Sequence, residues 1–189
     1  MSNTSFGGLS MSKNVLVIST SLRSGSNSEA LADSFLAGAK AAGNHVEKVT
    51  LKGKNLAFCK GCMACQNTRQ CVIQDDAVAL AEKMCRADVI AFATPIYYYS
   101  MSGQMKTLLD RANALFASEY MFRDIYMLTT AAEDGDAVPE KAVEGLKGWI
   151  DCFEKAVLAG TVFAGGVNDI GEIEGHPALQ KAYDMGTTI

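Results

Sequence analysis

The chain has 189 residues, 49% of them apolar and 20% charged, with three prolines and a net charge of −4. At about 150 residues per domain this is one domain with a long terminus or insertion, and the composition suits a chain that buries a core. The seventeen basic residues are scattered and no apolar run exceeds five residues, which argues against nucleic-acid binding, against attachment to an anionic membrane, and against a span needing ~20 apolar residues. The N-terminus has neither the basic stretch nor the apolar stretch of a signal peptide, so the expected location is cytoplasmic and the expected partners are small molecules or proteins.

Residues 1–13 are small and polar, without periodicity, and are expected to form a disordered leader before a single domain over 14–189. The pattern then predicts a strand over 15–19, a helix over 27–43, a strand over 45–51, a cysteine-rich loop at about 52–75, a helix over 76–85 and a strand over 89–94. A helix over 102–116, a strand over 124–131, a helix over 139–158, a strand over 161–167 and a helix over 177–185 complete five strands and five helices. Met105, Leu108, Leu109, Ala112 and Phe116 fall on one helical stripe, as do Val143, Leu146, Ile150, Phe153 and Val157. Ser102 is a suitable N-cap, and Pro139 and Pro177 suit first-turn positions, where a missing N–H costs nothing. The runs at 15–18 and 89–93 are continuously apolar, as in parallel strands buried on both faces. Strict alternation of such strands with helices predicts an open, doubly wound α/β sheet with helices on both faces.

In such sheets ligands sit beyond the carboxyl ends of the strands, which directs attention to the loops at 20–27, 95–100 and 130–136. The first places Ser19, Thr20, Ser21, Ser24, Ser26 and Ser28 around Arg23, Gly25 and Asn27, with no acid before Glu29. Feeding a helix N-terminus, it offers N–H groups, hydroxyls and a guanidinium to one phosphate. The alternative is a polar turn that only caps a helix. GxGxxG and a GK[ST] ending are both absent, which argues against dinucleotide and nucleoside-triphosphate fingerprints. The second loop, Pro95, Ile96, Tyr97, Tyr98, Tyr99 and Ser100, puts three phenols at a strand end, where they could wall a planar ring or pack beneath a neighbouring loop or subunit.

Four of the six cysteines, Cys59, Cys62, Cys65 and Cys71, fall within thirteen residues, too close for a disulfide framework and suited to metal or redox chemistry. A [4Fe–4S] cluster, zinc, and a scaffold loop with free thiols all fit this spacing. Cys85 and Cys152 stand alone in apolar segments and are expected in helix packing. No cysteine has an arginine six residues on, as a low-molecular-weight phosphatase requires. GxSxG and a metal-spaced histidine pair are also missing. His45 and His176 read as a strand start and a helix cap, and Asp110 with Arg111 as a helix-end charge pair.

The 18–28 segment, the Pro95-Ile96-Tyr97 turn and the 104–111 segment together resemble the NADPH-dependent FMN reductase group of flavodoxin-like proteins over roughly 13–186. The Cys-x2-Cys-x2-Cys-x5-Cys loop followed by Asp75 and Asp76 is most similar to the iron–sulfur flavoprotein branch. The resemblance implies strand order 2-1-3-4-5 and FMN as cofactor with NAD(P)H as co-substrate. It implies that Ser19, Ser21, Arg23, Ser26, Asn27 and Ser28 serve the phosphate, that Pro95 to Ser100 line the isoalloxazine, and that Thr130 and Ala131 complete the site. Cys59, Cys62, Cys65 and Cys71 are then candidate ligands of a [4Fe–4S] cluster, and a homodimer or dimer of dimers is expected, a neighbour closing the pocket. The group often has Gly and Pro where this chain has Thr20 and Leu22, so a looser loop is expected. The implied activity is hydride transfer from nicotinamide through FMN to an electron acceptor. Electron relay to a protein partner is the alternative, and a sensing module without turnover is a third.

Overall fold

A computed structural model describes residues 12–189; the expected leader falls almost wholly outside them. In chain order the elements are β1 (Asn14–Ser19), α1 (Asn27–Ala41), β2 (His45–Thr50), α2 (Ala64–Thr68), α3 (Asp76–Arg86), β3 (Val89–Tyr97), β4 (Ser100–Met101) and α4 (Gly103–Arg111). A 3-10 turn over Ala112–Ala117 follows, then β5 (Asp124–Thr130), α5 (Glu140–Ile150), β6 (Val157–Ala164) and α6 (Pro177–Thr187). The sheet runs β2-β1-β3-β5-β6, all parallel, which is the expected order once the two-residue β4, antiparallel to β3, is set aside.

The central strands alternate between two cores, as a period of two requires. Leu16, Ile18, Ile90, Phe92, Ile125 and Met127 face α3, α4 and α5, while Val15, Val17, Val89, Ala91, Tyr126 and Leu128 face α1 and α6. Two glycines let α1 and α6 meet backbone to backbone: a methyl on Gly38 would overlap the Tyr183 carbonyl, and one on Gly186 the Phe35 carbonyl.

Several boundaries differ from the sequence pattern. α5 stops at Ile150 because the chain turns, Phe153 N–H bonding Ile150 O at 2.8 Å, and Phe153 enters an aromatic cluster with Trp149 (centroids 4.6 Å), Tyr120 and Phe122. Val157 then opens β6, donating to Arg123 O at 2.8 Å, so its place on the helical stripe was coincidental. α4 tightens to three residues per turn after Arg111, which turns Phe116 out to solvent. The cysteine loop contains a short helix, α2, that its composition did not announce. Ser102 caps α4, accepting from Met105 N–H; Pro177 opens α6, whereas Pro139 is itself the N-cap of α5. His176 caps α6 through Nδ1, and His45 starts β2. Cys85 is half-buried, its thiol pushed up by burial, but Cys152 is exposed on the turn after α5 and not packed between helices.

Candidate functional site

The β1–α1 loop is shaped by its own residues. Gly25 takes a left-handed φ of +64°, after which Ser26, extended, caps α1 by accepting from Glu29 N–H at 3.2 Å. Glu29 reaches back to Gly25 N–H at 3.1 Å, a variant of the reciprocal S-x-x-E cap that Ser26 to Glu29 spell in sequence. The first intrahelical bond runs from Ala30 N–H to Ser26 O, so the N–H groups of Asn27 and Ser28 precede it and stand at the positive end of the helix. Thr20 does not loosen the loop. Fully buried, it donates N–H to Ala93 O at 2.8 Å and meets Ser102 Oγ at 3.0 Å, tying the loop to β3 and to the cap of α4. Leu22, by contrast, is exposed.

This loop lines a cavity of about 180 Å³ with the ends of β3 and β5: Ser21, Arg23, Ser26, Asn27 and Ser28 on one side, Pro95, Ile96 and Tyr97 on another, Thr130 and Ala131 below. Ala132, Val167 and Asn168 also line it and were not foreseen; their signal was position, just past the carboxyl ends of β5 and β6. Arg23 is exposed and donates to Asn168 O at 3.0 Å; the Asn27 side chain is engaged with Asp169 O and Ile173 N–H. Ser19 Oγ is buried beneath the loop without a hydrogen-bond partner and does not line the cavity. No carboxylate or histidine lines it.

Tyr98, Tyr99 and Ser100 are likewise not among the lining residues. Tyr97 pairs with Ser100 across a two-residue hairpin whose tip, Tyr98 and Tyr99, has φ of +51° and +62°, the conformation of a type I′ turn, ordinarily Asn-Gly. Tyr98 therefore points into solvent, 99% exposed. Tyr99 donates its hydroxyl to Glu133 at 2.7 Å, which pushes the phenol up from its ordinary value and latches the hairpin to the β5–α5 loop. A larger cavity, about 560 Å³ among Asn14, His45, Glu82 and Arg86, lies at the opposite, amino ends of β1 and β2, away from the carboxyl edge where such sheets bind ligands.

The four clustered cysteines line a second, small cavity with Ile73, Asp110, Arg111 and Asn113. All are free thiols, Cys59 and Cys62 exposed, Cys65 and Cys71 half-buried. Among the described residues the sulfurs are not drawn into a metal-binding geometry, yet the donor set is four soft thiols on one cavity with N–H groups on two of them. Gly61 N–H bonds Cys59 Sγ at 3.4 Å and Asn113 Nδ2 bonds Cys65 Sγ at 3.2 Å. That set fits an iron–sulfur centre.

The stems of the loop are held by Arg111, which is not paired with Asp110; Asp110 pairs instead with Lys106. Arg111 is 2% exposed and forks onto Asp75 at 2.6 and 2.7 Å. It also donates to Ala57 O at 2.7 Å and Ile73 O at 2.9 Å. The guanidinium holds the Asp75 carboxyl below its ordinary value against the opposing effect of burial, with the Ala57 and Ala77 N–H groups adding to it.

Fold and cavity together define a flavodoxin-like α/β protein with a candidate phosphate-binding cavity at the carboxyl edge of its sheet. The family model for NADPH-dependent FMN reductases matches residues 13–169, and the chain belongs to that family: an NAD(P)H-dependent oxidoreductase with FMN as cofactor. It is 29% identical over 171 residues to an iron–sulfur flavoprotein of Methanosarcina thermophila, covering 90% of this chain and 86% of the relative. Among solved structures it is similar in fold to an NAD(P)H:quinone oxidoreductase from Methanothermobacter marburgensis (TM-score 0.72, 18% identity, 94% of this chain and 96% of that one). An azoreductase from Bacillus anthracis str. Sterne is comparably similar (TM-score 0.71, 18% identity, 94% and 100%). No helix of the described residues is long and apolar enough to cross a membrane.

Proposed function

We propose that FMN sits with its phosphate on the 20–28 loop and its ring along Pro95, Ile96 and Tyr97, with Thr130 and Ala131 at its edge, and that electrons leave to a small-molecule acceptor such as a quinone or azo compound. The observation that carries this is one cavity combining a helix N-terminus, hydroxyls and a guanidinium on one wall with strand-end backbone and a tyrosine on the other, and no carboxylate or histidine among its lining residues. FMN, when bound, supplies the redox chemistry between nicotinamide and acceptor. The chain's residues bind and orient. Ser26 and the Asn27 and Ser28 N–H groups hold the phosphate end, Arg23 neutralises it, and Asn27, anchored to the 169–173 segment, keeps the helix start in place.

At about 180 Å³ the cavity is smaller than the ~300–1,000 Å³ of enclosed ligand pockets. Part of the ring then lies outside the chain's own walls, which supports a second copy of the chain closing the site beside the exposed Tyr97 and Tyr98. A second use of the electrons, relay to a protein partner, is favoured by the four cysteines sharing one cavity. α4 runs from its cap at Ser102, bonded to Thr20, to Arg111 in that cavity, a rise of about 13 Å. Stopped-flow mixing with NADPH under nitrogen, then with benzoquinone, tests the leading reading. Prompt bleaching and return of the flavin band are expected; bleaching by NADPH with return only on adding an oxidised ferredoxin-type protein would favour the relay.

A further inference from the structure

Resting on the reading of Cys59, Cys62, Cys65 and Cys71 as one iron–sulfur site, we propose that Arg111 and Asn113 are its positioning residues, Arg111 clasping the stems of the loop while its Nε–H, with the Asn113 amide, serves the sulfurs. Both terminal nitrogens of Arg111 are committed: Nη1 to Ala57 O and Asp75 Oδ2, Nη2 to Ile73 O and Asp75 Oδ1. Nε is buried and has no acceptor among the described residues. A buried N–H without a partner is rare in a folded protein, and this one belongs to a side chain lining the cavity of the four cysteines. Two residues on, Asn113 already donates to Cys65 Sγ.

The rest of the clasp needs nothing bound to it. Ala57 N–H donates to Asp75 at 2.8 Å and Asn55 N–H to Asp76 at 2.7 Å, so the stems at 55–57 and 73–76 are joined on both sides of the sulfur ligands. Asp75 neutralises the guanidinium, so Arg111 presents to sulfur an N–H dipole more than a free positive charge. N–H bonds to the sulfurs of a cluster stabilise its electron-rich state and raise its reduction potential.

The test uses the full chain, reconstituted with iron and sulfide under nitrogen, in the parent form and as Asn113→Leu and Arg111→Lys. Iron and acid-labile sulfide content, loss of iron to a chelator, the cluster potential by EPR-monitored titration and FMN occupancy are measured for each. Asn113→Leu is expected to keep iron and FMN while its cluster potential moves negative. Arg111→Lys, with the charge kept and the fork and Nε lost, is expected to release iron several-fold faster at unchanged FMN occupancy. Parent-like retention and potential in both variants would overturn the assignment while leaving the cysteine site standing. A parent protein that takes up no iron would remove the site and the inference together. Should Arg111→Lys lose FMN as well, the potential of Asn113→Leu decides alone.

Discussion

The β1–α1 loop and the cysteine loop bring together chemistry-bearing residues of similar density, but they are held in opposite ways. The first is shaped from within: Gly25, Ser26 and Glu29 form the cap, and the helix they start supplies the positive end. The second is shaped from outside, by a guanidinium some forty residues downstream of its cysteines in sequence and an Asp75 carboxylate at its exit. A locally capped loop fails one hydrogen bond at a time. A clasped loop fails when its clasp is removed, because an unpaired charge is then left buried.

The sharpest way to break the contrast is Arg111→Ala. Removing one partner of a buried ion pair costs about 3–5 kcal/mol, and urea denaturation should show a loss of that size, with proteolytic nicking moving into 57–73. The same pair has a pH signature. Because the Asp75 pKa in the folded chain is lowered from 3.8, its contribution is complete above that value and fades as pH falls through it toward the folded value. Denaturation midpoints compared at pH 6 and pH 3.5 should therefore fall less steeply in Asp75→Asn than in the parent.

Effects at the β1–α1 loop should be smaller and should fall on the cofactor. Arg23→Ala removes an exposed charge whose one partner among the described residues is a carbonyl. Losing a charge-assisted bond of about 1.5–3 kcal/mol weakens FMN binding roughly 10- to 100-fold, with the melting temperature of the apoprotein unmoved; flavin titration by fluorescence reads this. Ser26→Ala should cost about 1 kcal/mol of stability, as other N-cap losses do, together with some FMN affinity. The smallest effect has the opposite sign. Tyr98→Asn relieves a left-handed tyrosine at a type I′ tip and should stabilise the chain by up to about 1 kcal/mol, measurable as a rise in thermal midpoint.

What could be read from the sequence follows the same division. Continuous apolar runs identified the buried parallel strands, and the hydroxyl-rich stretch after β1 identified the loop that lines the cavity, because both signals are contiguous. The extent of α5 was not legible, since Phe153 and Val157 keep helical spacing while the aromatic cluster and the Arg123 carbonyl capture them for a turn and a strand. Three tyrosines in a row left open which would wall a ring and which would pack against a neighbour; left-handed backbone at the second and third splits them into one that lines the cavity, one in solvent and one latched to Glu133. Arg111 read as half of a helix-end charge pair with Asp110 because its real partners are 36 to 54 positions away. Asn168 was invisible for a related reason: the cavity meets it only after β6 has folded against β5.

The glycine contact between α1 and α6 reaches further than packing. α1 carries the proposed phosphate end of the site at its first turn, and Gly38 and Gly186 are where its backbone touches that of α6. Ala178 and Ala182 of α6 are buried in the core they share with α1, and the smallest possible enlargement at position 186 would press on the Phe35 carbonyl and push the two helices apart. The C-terminal helix, which lines no part of the cavity, therefore helps to set where the proposed cofactor site stands.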